Sequence, residues 1–131
     1  MKKLIKIAAI FSLIFVANAC STLDSVQKSK GKGKSTNFSA SYDEVFDAAV
    51  KSINSSPRLR IVSKDKKEGK ILAHAGLSML SIGENVAVFV EKNKDRTIKV
   101  EVISKKVTEG SILAPNDWDS YILTNIPIYL K

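Results

Sequence analysis

Two segments near the middle of the chain alternate with period two, and they constrain the fold class more tightly than any other feature. Residues 84–91 put Val86, Val88 and Val90 on one side and Ala87 and Phe89 on the other. Residues 97–105 set Ile98, Val100 and Val102 against Lys99 and Glu101. Between them, Lys92-Asn93-Lys94-Asp95-Arg96 is a charged turn. Side chains on a strand point alternately to opposite faces, so the pattern predicts paired antiparallel strands with one buried face and one wet face. The buried face needs a covering layer.

The sequence offers one in residues 42–54. Tyr42, Val45, Phe46, Ala49, Val50 and Ile53 follow helical spacing and make a single apolar stripe. Ser41-Tyr42-Asp43-Glu44 has the capping-box form, and Asp43, Glu44 and Asp47 lie near the positive end of the helix dipole. Asn54-Ser55-Ser56-Pro57 ends the helix. Asn37-Phe38-Ser39-Ala40, just before it, reads as a short strand. After it, Leu59-Arg60-Ile61-Val62 and residues 70–75 are two β-rich runs joined by polar turn residues, a predicted hairpin. Near the C-terminus, Asn116 reads as a helix cap and Trp118, Tyr121 and Ile122 share a face, predicting a short helix over 117–125. A second reading makes Ile126, Ile128 and Leu130 an edge strand containing Pro127. The predicted class is α+β: an N-terminal helix on one face of an antiparallel sheet of about four strands, with a short C-terminal helix.

The first twenty residues carry a different message. Lys2, Lys3 and Lys6 form a basic head, residues 7–17 are apolar except for Ser12, and Ala17-Asn18-Ala19 precedes Cys20. A membrane-spanning helix needs ~20 apolar residues. The run here is eleven, within the roughly 7–15 of a cleaved export signal. Val16-Ala17-Asn18-Ala19-Cys20 resembles the lipobox of bacterial lipoproteins, although Ala17 stands where that family usually has Leu. The resemblance implies a diacylglycerol on the Cys20 sulfur and cleavage just before it. By the same resemblance, Ser21 after the cysteine implies delivery to the periplasmic face of the outer membrane. Ala17-x-Ala19 also satisfies the ordinary signal peptidase, whose cut would release a soluble chain with a free thiol. A lone cysteine in an exported chain favours the lipoprotein reading.

The expected organisation is therefore a signal peptide at 1–19, a lipidated cysteine and flexible basic tether at 20–35, and one α+β domain at 36–131. Of 21 Lys+Arg, three lie in the signal, so the remainder carries 18 against 13 Asp+Glu, a net charge of +5. That suits a neighbour of anionic lipid or glycan and says nothing about fold. The segment 21–35 is polar, with Lys28, Lys30, Lys32, Lys34, Gly31 and Gly33, and reads as a leash with a mean reach of ~20–25 Å. Its lysines are candidate contacts for an anionic surface. A nucleic-acid role is not expected, since the leash has no aromatic residue for stacking.

The hairpin supplies a second basic set, Arg58, Arg60, Lys64, Lys66, Lys67 and Lys70, against Asp65 and Glu68. Leu77, Met79, Leu80 and Ile82, bracketed by Gly76 and Gly83, form an apolar connection that reads either as a surface for a protein partner or as a longer strand or a loop folded back over the core. Phe89 and Ile103, opposite the valines, would join that surface or lie under the C-terminal helix. His74 is the only histidine, and no motif places a nucleophile beside it. No metal, cofactor or catalytic constellation is expected, and the chain reads as a non-enzyme. The region 36–105 resembles the small helix-on-sheet modules of a lipoprotein subunit of the outer-membrane β-barrel assembly machine. The resemblance rests on the Ser41–Val50 helix start, Asp65-x-x-x-Gly69 and Ser81-x-Gly83-Glu84. It implies a binding or scaffold module held to the membrane through Cys20, with another envelope protein as partner. The alternative expectation is an electrostatic binder of lipopolysaccharide or glycan.

Overall fold

The computed structural model describes residues 21–76, 83–107 and 117–130. In chain order the elements are α1 (Ser21–Lys28), β1 (Lys34–Phe38), α2 (Tyr42–Asn54), β2 (Leu59–Asp65), β3 (Lys70–Ala75), β4 (Glu84–Lys92), β5 (Ile98–Lys106) and α3 (Trp118–Tyr129). The five strands form one antiparallel sheet in the order β1-β5-β4-β3-β2. The class is α+β, as the alternation and the helical stripe predict.

The helix over 42–54 forms where its stripe and cap place it. The Ser41 hydroxyl accepts from the Glu44 N–H at 3.2 Å, and Val45, Phe46, Ala49 and Ile53 are buried. Their partners are the inward residues of the sheet: Ile71, Ala73 and Ala75 on β3, Val86, Val88 and Val90 on β4, and Ile98, Val100 and Val102 on β5. The hairpin also forms, with β2 and β3 paired from Leu59↔Ala75 to Asp65↔Lys70. A bulge between Ile61 and Ser63 adds Val62 to the edge strand and leaves it about half exposed.

Three expectations need correction. First, the sheet has five strands rather than about four. The strand before α2 begins at Lys34 and pairs along β5, from Lys34↔Val102 to Phe38↔Ile98. Second, the C-terminal helix runs through Tyr129 instead of stopping at residue 125, and its cap is Asp117 rather than Asn116. Trp118, Ile122, Leu123 and Ile126 hold it against the same face as α2. Pro127 lies in the last turn of the helix, where its missing N–H removes one helical bond and the chain leaves the helix three residues later. The Ser52 hydroxyl donates to the Ile122 carbonyl at 2.8 Å and joins the two helices in the core.

Third, the face expected to be wet is covered at its centre, and the element that covers it comes from the segment read as a leash. α1 lays Val26, fully buried, onto Leu72, Ala87, Phe89 and Ile103. Phe89 and Ile103 are therefore buried under α1, not under the C-terminal helix. An isolated eight-residue helix is unstable in water, so α1 owes its helicity to this docking. Val26 contributes ~1.5–3 kcal/mol by burial, and the exposed Asp24–Lys28 pair at 3.0 Å adds little.

Candidate functional site

The segment 21–33 is fastened to the sheet by a group the sequence reading did not single out. Glu101 lies on β5 in the row below Ile103, on the face under α1, and is only 4% exposed. A buried carboxylate is costly unless it is hydrogen-bonded. Its donors are backbone amides 68 and 70 residues earlier in the chain. The Gly31 N–H reaches both carboxylate oxygens at 2.9 Å, and the Gly33 N–H reaches Oε2 at 3.1 Å. Gly33 passes so close to β5 that a Cβ there would lie 2.4 Å from the Val102 carbonyl oxygen. The turn out of α1 is thus drawn onto the strand by one carboxylate and admitted by one missing side chain. In the sequence, Glu101 is an ordinary wet-face residue and the two glycines look like leash. Nothing local connects them.

Around this latch Lys30 and Lys34 of the segment, and Lys70 of β3, are tied down. Lys30 pairs with Glu91 and lies over the Phe89 ring, 5.2 Å from its centroid. Lys70 donates to Gln27 at 3.1 Å and pairs with Glu68 at 3.3 Å. Lys34 contacts Asp117 at 3.2 Å, Ser120 Oγ at 3.0 Å and Asp119 at 3.5 Å. The hydrogen bond with Asp117, foremost, raises the Lys34 pKa. Hydrogen bonds from Asp119, from Ser120 and from Lys34 hold the Asp117 carboxyl well below its usual range. Burial, then the shared hydrogen bond with Asp117, pushes Asp119 the other way. Of the four lysines expected to meet an anionic surface, Lys28, Lys30 and Lys34 have carboxylate partners within the chain, and Lys32 is exposed.

The basic hairpin is similarly divided. Its turn borders an open groove of about 460 Å³ between Tyr42, Lys66, Lys67, Glu68, Val90, Glu91 and Lys92. The Tyr42 hydroxyl donates to the Lys66 carbonyl at 2.7 Å and fixes the turn against the start of α2. Lys66 contacts Asp47 at 3.1 Å and Asp43 at 3.6 Å and lies over the Phe46 ring. Lys92 lies over the Tyr42 ring at 5.4 Å. Arg58 is elsewhere, stacked on Trp118 at 5.4 Å. Arg60, Lys64 and Lys67 are exposed. The structure therefore does not gather the predicted cations into one patch: several are neutralised locally and the rest are spread along β2 and its turn. Cys20 and the apolar connection containing Leu77, Met79, Leu80 and Ile82 lie outside the described residues. Among the described residues, no three His, Cys, Asp or Glu side chains are grouped to hold a metal ion.

No protein-family model matches the chain, and no curated protein matches it. Among solved structures, the crystal structure of Ara h 8.0201 aligns with 74% of this chain and 94% of its own, at 15% identity and a TM-score of 0.44. A likeness that loose carries no reading of function.

Proposed function

We propose that the protein is a lipid-anchored module of the bacterial cell envelope, held at the periplasmic face of the outer membrane by acyl chains on Cys20, and that its domain binds or scaffolds another envelope component without catalysing a reaction. The observation that carries the reading is the leader: a basic head, an eleven-residue apolar run and Val16-Ala17-Asn18-Ala19-Cys20. No described helix is long and apolar enough to cross a membrane. Each buried methylene contributes ~0.8 kcal/mol, so two or three acyl chains on one cysteine hold a protein in place where a single chain does not. An electrostatic binder of lipopolysaccharide or glycan is less favoured, because Lys28, Lys30, Lys34, Lys66 and Lys70 already face carboxylates of the chain itself.

The test is Cys20→Ser in the native cell with metabolic labelling by a fatty-acid analogue. The native protein is expected to be labelled and to need detergent for extraction. The variant is expected to be unlabelled and to appear in the soluble envelope fraction or as uncleaved precursor. A native protein that is unlabelled, soluble at ordinary salt and carrying a free thiol refutes the anchor.

A further inference from the structure

On the sheet face that carries α1, the register sets four polar side chains in one row. Arg60 on β2 is opposite His74 on β3, His74 is opposite Asn85 on β4, and Asn85 is opposite Lys105 on β5. Neighbouring strands lie ~4.8 Å apart, so the row spans roughly 14 Å. Its middle is fixed: Asn85 is buried, and its Oδ1 lies 2.9 Å from His74 Nδ1. Its two ends are exposed cations, and neither Arg60 nor Lys105 has an ion-pair partner among the described residues. Among the described residues, the carboxylates of this sheet face all lie further down. Asp65 and Glu101 flank Lys70 and Phe89 two rows away, about 13 Å along the strands, and Glu91 lies beyond them. The face is thus basic at one end and acidic or neutralised at the other.

α1 connects this basic end to the leader. Lys105 Nζ donates to Ser25, to the carbonyl oxygen at 3.4 Å and to the hydroxyl at 3.3 Å. The helix begins at Ser21, four residues and therefore about 6 Å of helix rise before Ser25. Cys20 is the next residue in the sequence. The one acid of α1, Asp24, pairs with Lys28. We propose that the row Arg60–His74–Asn85–Lys105 is the surface through which the anchored domain meets the phosphates of anionic lipid headgroups, so that the domain lies on the membrane by this face and does not hang from a leash. The proposal rests on the anchoring reading, because a helix that starts beside the acylated residue brings Lys105 within about a turn or two of the bilayer surface. Row and ligand match in charge, and the partner is specified by the anchor: lipid of the membrane that holds Cys20.

The experiment uses the full protein purified from its own membranes. It is reconstituted into vesicles of neutral phosphatidylcholine, or of phosphatidylcholine with anionic phosphatidylglycerol. Lysines are labelled with a membrane-impermeant amine reagent and read by mass spectrometry, which also reports acylation of Cys20. Lys105 is expected to label several-fold more slowly on the anionic vesicles, with Lys67 unchanged as the internal reference. Labelling is expected to recover at 1 M salt, where the Debye length is ~3 Å, and in the exposed-site variant Arg60→Glu. Acylated Cys20 with equal Lys105 labelling on both vesicles overturns the row and leaves the anchor standing. Unacylated Cys20 overturns both. Equal protection by inorganic phosphate without vesicles overturns the assignment to a lipid surface.

Discussion

Glu101→Gln isolates the latch that holds residues 21–33 to the sheet. The substitution keeps the side chain's size, removes the charge, and turns one of two acceptor oxygens into a donor facing amide N–H groups. The native carboxylate accepts from Gly31 and Gly33 at 2.9–3.1 Å in a buried setting. A hydrogen bond to a charged group contributes ~1.5–3 kcal/mol net. Two such amides set an upper range of roughly 3–6 kcal/mol, but the segment can respond by undocking and giving both amides to water. The loss is therefore bounded by the docking free energy, which rests on Val26 burial and a few surface contacts, and ~2–4 kcal/mol is the expected figure. Hydrogen exchange of individual amides is the assay. Gly31, Gly33 and the α1 amides should exchange about 30-fold to several hundred-fold faster in the variant, at 1.4 kcal/mol per tenfold. The β3 and β4 amides that α2 and α3 protect should change little. Unchanged exchange at Gly31 and Gly33 would show that Glu101 does not hold the segment, and the account of the covered face would fail with it.

Three further outcomes follow from the same packing. Phe46 is 3% exposed in the main core, so Phe46→Ala should lower the unfolding free energy by ~3–5 kcal/mol in urea denaturation; an unchanged midpoint removes it from the core. Gly69→Ala should destabilise the hairpin by ~1–3 kcal/mol, because Gly69 has φ +67° and a Cβ there would lie 2.1 Å from the Val90 oxygen; equal melting temperatures refute this. Asp117 has a folded pKa lowered from the ordinary 3.8, so its stabilisation is complete above that value and is lost as pH falls through the lower folded one. Asp117→Asn should therefore melt below the native protein at neutral pH and converge with it in strong acid. Asp119 shifts in the opposite direction, so the variant comparison separates the two carboxyls where a bulk acid titration does not.

What could be read without coordinates was whatever the chain repeats locally. Period-two alternation over 84–91 and 97–105 identified β4 and β5 and their inward valines, and the 3.6-residue stripe with its Ser41 cap identified α2. These signals are legible because each element buries one face and the spacing of its apolar residues records which face that is. The pattern on which the proposed anchor rests is local too, since basic head, apolar run and cysteine are contiguous in the sequence.

The tertiary structure alone decided the fate of residues 21–35 and of the second sheet face. A segment of lysines, glycines and serines has too little apolar surface to announce a packed element, and Val26 by itself makes no stripe. Its helix exists because β3, β4 and β5 place Leu72, Ala87, Phe89 and Ile103 in one patch, and its turn is held because β5 brings Glu101 to two amides about seventy residues away in the chain. The same register gathered Arg60, His74, Asn85 and Lys105, four residues unremarkable one by one, into a row beside the start of α1. Local sequence encodes which face a residue takes. Only strand pairing, a contact between distant segments, encodes which residues share it.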